Sequence, residues 1–349
     1  MKQKHITFVL GSLGRGGAEK VISLLSDDYA QKGWKVDIIL LLFNKIDYKI
    51  NPAVKVIDFS GTCKSRIKRF PYWIKKLRDY AKVNKPDIML SFAARINIIV
   101  HIACKKYVKK LFVSERNDPR EDGRSKLVDI ATKYLYPKTN GVIFQTKRAA
   151  SYFDGLTNGC IIANPIEISK CASKDKKKKI VAVGRLTAQK NHKMLLNAFH
   201  EISNQFPEYI LEIYGDGELK EELQQQSKML DIENKVCFKG NVLNIHECIS
   251  NAELFVLSSN YEGLSNALLE AMMMGLPCIS TNCAGSDEYI DNNESGLIIS
   301  VGDEMALVNA MKKMLSDDQF RLNCGVVAEK KSLSYNKETI IKKWHNLMD

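Results

Sequence analysis

His5-Ile6-Thr7-Phe8-Val9-Leu10-Gly11-Ser12-Leu13-Gly14-Arg15-Gly16-Gly17-Ala18-Glu19 is the stretch that decides the fold. Its apolar run, Ile6 to Leu10, is far too short to span a bilayer, and His5–Leu10 reads as a buried strand. The glycines that follow are loop residues. Ala18–Gln31 then takes a helical period, and Lys35–Phe43 is apolar again. Strand, glycine loop, helix and strand make one β-α-β unit.

The same alternation continues to the end of the chain. Strands are predicted at Val54–Phe59, Asp87–Phe92, Lys110–Ser114, Gly141–Gln145 and Cys160–Ala163. A second series is predicted at Ile180–Val183, Tyr209–Tyr214, Lys235–Phe238, Leu254–Leu257, Pro277–Ser280 and Gly296–Ile299. Strands alternating with helices imply parallel sheets covered on both faces, so the fold class is α/β. Between the two series lies Ile168–Lys179, polar, lysine-rich and without apolar period, which reads as a solvated linker. Two Rossmann-like domains facing a central cleft are expected, because ligands of open α/β sheets bind beyond the carboxyl ends of the strands.

The length of 349 residues suits two domains. With 45% hydrophobic and 26% charged residues the chain has a globular composition, and no apolar stretch is long enough for a membrane helix. The basic start, Met1-Lys2-Gln3-Lys4, leads into a strand and a glycine turn rather than a signal peptide. Nine cysteines, an odd number without a C-x-x-C pair, fit a reducing cytoplasm and exclude a zinc-finger spacing. The net charge of +12 favours polyanionic partners without choosing among nucleic acid, anionic lipid and phosphorylated substrates.

Three motifs carry chemistry. The first is the loop Gly11–Glu19, where glycine allows close backbone approach and the helix start offers N–H groups to an anion. Its spacing is not G-x-G-x-x-G, which disfavours a dinucleotide, and by itself it reads equally as a tight turn. The second is Gly184-Arg185-Leu186-Thr187-Ala188-Gln189-Lys190-Asn191-His192. Arg185 and Lys190 lie in a strand-to-helix loop, where two cations suit a diphosphate, although loop cations also serve as surface ion pairs. The third and most specific is Glu262-Gly263-Leu264-Ser265-Asn266-Ala267-Leu268-Leu269-Glu270. Glu262 falls in a loop, Ser265 is a helix cap, and Glu270 lies more than a turn into the helix. One carboxylate stands on each side of N–H groups suited to phosphate.

That spacing resembles the E-x7-E motif of retaining glycosyltransferases of the GT-B fold, family 4. The resemblance runs through Gly16-Gly17-Ala18-Glu19, Ser114-Glu115-Arg116-Asn117-Asp118, Asn164-Pro165-Ile166, Gly184-Arg185-Leu186, Tyr214-Gly215-Asp216-Gly217 and Glu262 to Pro277. It implies an acceptor-binding domain over 1–167 and a donor-binding domain over 168–332, with a C-terminal crossover helix, 333–349, returning to the first. It implies that Glu262, Arg185 and Lys190 are catalytic. Glu270 would bind the donor ribose, Glu262 the transferred sugar, and Arg185 and Lys190 the diphosphate. Gly16, Gly17, Gly263, Leu264, Ser265 and Asn266 complete the donor site, and Arg95, Asn97, Glu115 and Arg116 the acceptor side. Ser114-Glu115-Arg116 stands where many members carry a His-Asp or His-Gly pair, and resembles a subgroup acting in capsule, O-antigen or lipid-linked oligosaccharide assembly.

The implied reaction moves a hexose or N-acetylhexosamine, with retention, from a UDP-sugar to a polyprenyl-diphosphate-linked saccharide. No cofactor and no metal are expected, and the chain has no D-x-D motif. The expected location is cytoplasmic, at the inner face of the membrane. The basic segment Lys64–Lys85, with Trp73, suits an anionic membrane surface or equally an outer helix burying its stripe, and the two can coexist if the basic face is outward. His101 reads as a packed helix residue, and Met272–Met274 as core. The rivals are a sugar nucleotide epimerase or phosphorylase of the same fold, a silent partner subunit that binds a sugar nucleotide, and a basic nucleic-acid-binding protein. The last lacks any recognisable reader motif, so no nucleic-acid partner is expected.

Overall fold

The computed structural model describes residues 3–14, 16–61, 66–167, 176–283 and 285–348, with the backbone alone of 66–68. The quoted Arg15, Lys64 and the linker residues 168–175 lie outside the described residues, as do the side chains of Arg66 and Lys68. The chain divides into two compact units, Met1–Pro165 with Ile340–Asp349, and Ile166–Thr339.

The first unit contains strands β1 (His5–Leu10), β2 (Lys35–Leu40), β3 (Val54–Asp58), β4 (Ile88–Phe92), β5 (Lys110–Ser114), β6 (Gly141–Phe144) and β7 (Gly159–Ile161). They form a seven-stranded sheet in the order β3-β2-β1-β4-β5-β6-β7. Every pairing is parallel, from β1 with β2 to β6 with β7. Its helices are α1 (Gly17–Gln31), α2 (Arg66–Asn84), α3 (Ala94–Cys104), α4 (Lys126–Leu135) and α5 (Lys147–Ala150). The order reverses between β1 and β4, the switch at which open α/β sheets place their ligands.

The second unit contains β8 (Lys179–Val183), β9 (Ile210–Tyr214), β10 (Val236–Gly240), β11 (Leu254–Leu257), β12 (Cys278–Thr281) and β13 (Leu297–Ile299). Their order is β10-β9-β8-β11-β12-β13, again all parallel. Its helices are α6 (His192–Ser203), α7 (Lys220–Met229), α8 (Ile245–Ile249), α9 (Asn266–Met273), α10 (Ser286–Tyr289), α11 (Glu304–Ser316) and α12 (Asp318–Ser332), and the last helix, α13 (Lys337–Met348), belongs from Ile340 onward to the first unit. A dry core of Leu195, Phe199, Leu211, Ile213, Met311 and Met314 joins α6 and α11 to the sheet. Each such side chain contributes about 1.5–3 kcal/mol by leaving water.

One expectation needs correction. The end of the expected linker is structured: Lys179 belongs to β8 and is buried, its Nζ 2.9 Å from Glu212 and 2.8 Å from the Cys248 carbonyl. A lysine can take a strand position there because its charge is both paired and hydrogen-bonded. Helix α2 follows the reading of an outer helix that buries its stripe: Trp73, Leu77, Tyr80 and Ala81 are buried in the first unit. Tyr80 donates to the Asp37 carboxylate of β2, and its oxygen lies 2.9 Å from Thr7 Oγ1 of β1. The Trp73 indole donates to the Phe59 carbonyl at 3.0 Å. Most of the apolar stripe is therefore occupied by the protein's own core, and the outer face is basic with Phe70 and Val83 exposed on it.

The chain end packs on the first unit. Ile340, Ile341, Trp344 and Met348 of α13 are buried, with Trp344 against Phe92 at 6.5 Å between rings. His345 meets Asp28 at 2.6 Å. Residues up to Thr339 belong to the second unit, so the part of the chain grouped with the first begins seven residues later than the expected 333.

Candidate active site

The second unit builds its site from two loops at the carboxyl ends of β8 and β11. The first runs from Gly184 to Asn191. Asn191 caps α6 from the left-handed region, φ 46°, a conformation Asn tolerates better than most residues. Its Oδ1 accepts the Met194 N–H at 3.4 Å. The loop is pressed against the end of β9. The Gly184 N–H donates to the Tyr214 carbonyl at 2.9 Å and the Leu186 N–H to the Asp216 carbonyl at 3.1 Å. Only glycine permits this contact. A Cβ on Gly215, whose φ is +134°, would lie 2.0 Å from the Gly184 oxygen, and one on Gly217 2.4 Å from the Leu186 oxygen.

The second loop, 258–265, is laced to the first. The Asn260 N–H donates to the Gln189 carbonyl at 2.8 Å, and Asn260 Nδ2 to the Ala188 carbonyl at 2.9 Å. Gln189 Nε2 donates to the Tyr261 carbonyl at 3.0 Å, and Ser258 Oγ to the Lys190 carbonyl at 3.0 Å. This lacing brings Lys190 and Glu262 together. The Lys190 ammonium donates to Glu262 Oε1, and Ser259 Oγ donates to the same oxygen at 2.8 Å. Both side chains are largely buried, 13% and 9% exposed, so the pair is a fixed feature rather than a surface contact. The Lys190 stem crosses Gly184, where a Cβ would lie 3.1 Å from its Cδ and Cε. Thr281 Oγ1, at the end of β12, supports the loop from below by donating to the Ser259 carbonyl at 2.6 Å.

Arg185 is exposed, and its Nη2 donates to Gln189 Oε1 at 3.3 Å. Among the described residues no carboxylate lies within ion-pair distance of it. It presents an unneutralised cation beside the Lys190–Glu262 pair. Ser265 caps α9 as expected, its Oγ accepting the Leu268 N–H at 3.4 Å. Gly263 and Leu264 are buried in the turn that leads there, and Asn266 is the first helical residue. Glu270 is also buried but has a different partner, His246 of α8, 3.4 Å from its Oε2. His246 and Ser259 carry no motif, and sequence reasoning passed over them.

The first unit holds the remaining candidates. Gly16 is the N-cap of α1 in extended backbone, and its carbonyl accepts from Tyr48 Oη at 3.0 Å. The Glu19 carboxylate folds back over it, and a Cβ on Gly16 would lie 2.3 Å from Glu19 Oε2. Gly17 starts the helix.

Beyond β5 the expected acceptor residues separate into two groups. Glu115 and Asn97 are buried and engaged. Glu115 takes Arg124 Nη2 at 3.0 Å and the Tyr136 hydroxyl, and Arg124 also holds Asp122. Asn97 accepts from Ser91 Oγ at 2.8 Å and donates to the Ser114 carbonyl at 3.1 Å and to Tyr136 Oη at 3.0 Å. Their polar atoms fix the β5–α4 loop, so direct contact with an acceptor is not what this geometry offers.

Arg116 differs. Nη1 donates to Ser114 Oγ at 3.3 Å, Nη2 donates to Asn164 Oδ1, and the guanidinium stands over the Phe92 ring at 5.3 Å. Its Nε is buried without a partner. Burial pushes the group down to about 10, with the Glu19 carboxylate pulling it back, so it stays cationic at neutral pH. Arg95 is exposed at the start of α3, two residues after the N-cap Ala93, whose φ is +78°. His101 is half-buried, and burial, with Lys105 and Lys138, lowers its pKa, in keeping with a packed position.

Residues 164–331 match the family described as glycosyl transferases, group 1. Over 358 residues, 98% of each chain, the protein is 27% identical to the GalNAc-alpha-(1->4)-GalNAc-alpha-(1->3)-diNAcBac-PP-undecaprenol alpha-1,4-N-acetyl-D-galactosaminyltransferase of Campylobacter jejuni. It is also 27% identical, over 95% of each chain, to that organism's N-acetylgalactosamine-N,N'-diacetylbacillosaminyl-diphospho-undecaprenol 4-alpha-N-acetylgalactosaminyltransferase. Among solved structures, HepE of Anabaena in complex with UDP and glucose superposes with a TM-score of 0.85 at 18% identity, covering 99% of both chains. The strand order of both sheets and this likeness establish the GT-B fold. With residues 164–331 matched by the group 1 glycosyl transferase family and glycosyltransferases similar to it along nearly its whole length, the chain carries a group 1 glycosyl transferase domain and is a glycosyltransferase.

Proposed function

We propose that the protein transfers a hexose or N-acetylhexosamine from a UDP-sugar to a polyprenyl-diphosphate-linked saccharide, with retention and without a metal, in the assembly of a cell-surface polysaccharide or glycan. The observation that carries the donor reading is the laced pair of loops in the second unit. There Lys190 and Glu262 are preassembled, Arg185 is left unneutralised, and the capped start of α9 follows within the same loop. The acceptor reading rests on the two Campylobacter relatives, whose names specify undecaprenol-diphosphate saccharides.

In this reading Arg185, Lys190 and the N–H groups around Ser265 and Asn266 stabilise the charge that grows on the leaving diphosphate. Glu262 accepts hydroxyls of the transferred sugar and Glu270, set by His246, those of the ribose. Gly16 and Gly17 offer backbone N–H groups to the anionic substrate. On the acceptor side Arg116 and Arg95 meet the substrate, while Asn97 and Glu115 are positioning residues that hold the loop behind Arg116. The protein would work at the inner face of the cytoplasmic membrane, where such acceptors lie.

Calorimetry with UDP and a panel of UDP-sugars, in EDTA, tests the donor site. UDP binding that weakens at least about tenfold in Arg185→Ala supports it, as expected for loss of a charge-assisted contact. Equal affinity of the variant and the wild type refutes it. The anomeric configuration of the product, read by NMR, tests retention.

A further inference from the structure

Helix α4 is built the wrong way round for a helix that packs only on its own domain. Its buried residue is Thr132, with Val128 and Leu135 half-buried beside it. Its outward face carries Leu127, Ile130 and Tyr134, which are 79%, 64% and 66% exposed. The spacing i, i+3, i+7 places these three side chains on one face, a continuous apolar strip turned to solvent.

The polar residues around the strip are basic. Lys126 and Lys133 are exposed along one edge, and Lys138 stands 3.0 Å over the Tyr134 ring. The helix has a single acid, Asp129, which is paired with Lys133 at 3.0 Å and accepts a hydrogen bond from the Tyr152 hydroxyl at 2.7 Å. An aliphatic strip with a tyrosine and lysines at its margin matches the boundary between lipid headgroups and acyl chains. The net charge of +12 draws the protein to an anionic bilayer. A second copy of this chain would bring the same lysines face to face.

We infer that α4 is the helix that docks this protein on an anionic lipid bilayer, its strip of Leu127, Ile130 and Tyr134 lying in the interface plane. This rests on the reading of a lipid-linked acceptor for its purpose, but not for its test. The placement also suits that purpose. The loop between β5 and α4 carries Arg116, and Arg124, immediately before the α4 cap, is pinned to Glu115. Helix α4 and the proposed acceptor residues are therefore held together by a buried ion pair. Helix α2, with Trp73, Leu77, Tyr80 and Ala81 in the core, adds mainly electrostatic attraction.

Sedimentation with vesicles of phosphatidylglycerol and phosphatidylcholine tests the inference on the purified full chain, with no substrate present. The wild type is expected to bind anionic vesicles and to retain part of that binding in high salt. The variant Leu127→Ser/Ile130→Ser/Tyr134→Ser should lose at least about tenfold in partitioning at both salt concentrations. Lys75→Gln/Lys76→Gln, on α2, should lose binding at low salt alone. Because the three substituted side chains are exposed, the melting temperature should stay as in the wild type. UDP affinity should be unchanged as well, which separates this test from the donor-site reading. Wild-type binding that survives the triple substitution would overturn the inference. So would a wild-type protein indifferent to anionic vesicles, or a triple variant that changes from dimer to monomer while binding vesicles normally.

Discussion

Gly215→Ala is the substitution from which the account expects the largest local effect. The backbone there has φ +134°, a region nearly closed to residues with a Cβ, at a cost of about 1–3 kcal/mol. The new methyl would lie 2.0 Å from the Gly184 oxygen and 2.8 Å from its carbonyl carbon. That neighbour is backbone, so the loop as a whole must retreat, and overpacking of this kind adds about 1–3 kcal/mol. Gly240→Ala is the control. It has φ +66° and no atom within 4 Å of the added Cβ, so it carries the conformational cost of about 1–2 kcal/mol alone. Calorimetric melting should show Gly215→Ala lower than the control by about 2–12 °C, taking the overpacking alone at about 2–4 °C per kcal/mol. UDP binding should follow, because the displaced loop carries Arg185 and Lys190, whereas the control should bind UDP normally. If Gly215→Ala melts with Gly240→Ala and binds UDP equally well, the close packing of the two loops is not what positions the cations.

Three further outcomes are expected. Lys190→Met leaves the Glu262 carboxylate, 9% exposed, without its cation, and should be less stable in urea than the double variant Lys190→Met/Glu262→Gln. Arg124→Met strands Glu115 and Asp122 and should cost about 3–5 kcal/mol by chemical denaturation, part of it recovered by adding Glu115→Gln. His192 titrates at about 4 rather than 6.5, because burial and then Lys190 oppose its charge. Below pH 6.5 the unfolded chain takes a proton at this site that the folded chain refuses, so stability is full above pH 6.5 and falls toward pH 4. The loss should reach about 2 kcal/mol by pH 5, and His192→Gln should remove that share of the slope.

The fold was legible because its signals are local. Each predicted strand is a short apolar run bounded by loop residues, and β1, β5 and β11 have the predicted limits. Buried parallel strands read as near-continuous apolar runs. The Ser265 cap and the Lys190 and Glu262 loops were legible for the same reason. What the sequence hid is pairing across distance. Nothing in the segment Ile245–Ile249 marks His246 as the partner of Glu270. Nothing near Glu115 shows that Arg124, Tyr136 and Asn97 consume its polar environment. The apolar period of α2 and that of α4 look alike in sequence, yet one faces the core and the other faces water. Periodicity reports that a helix has an apolar face but not what that face meets.

The measurement closest to the central claim is release of nucleoside diphosphate from a panel of nucleotide sugars, in EDTA, with and without a polyprenyl-diphosphate-linked saccharide. The expected result is release of UDP from one UDP-hexose or UDP-N-acetylhexosamine, dependent on the acceptor and lost in Glu262→Ala and Arg185→Ala. Release that ignores the lipid-linked acceptor, requires a divalent metal, or persists in both variants would contradict the account.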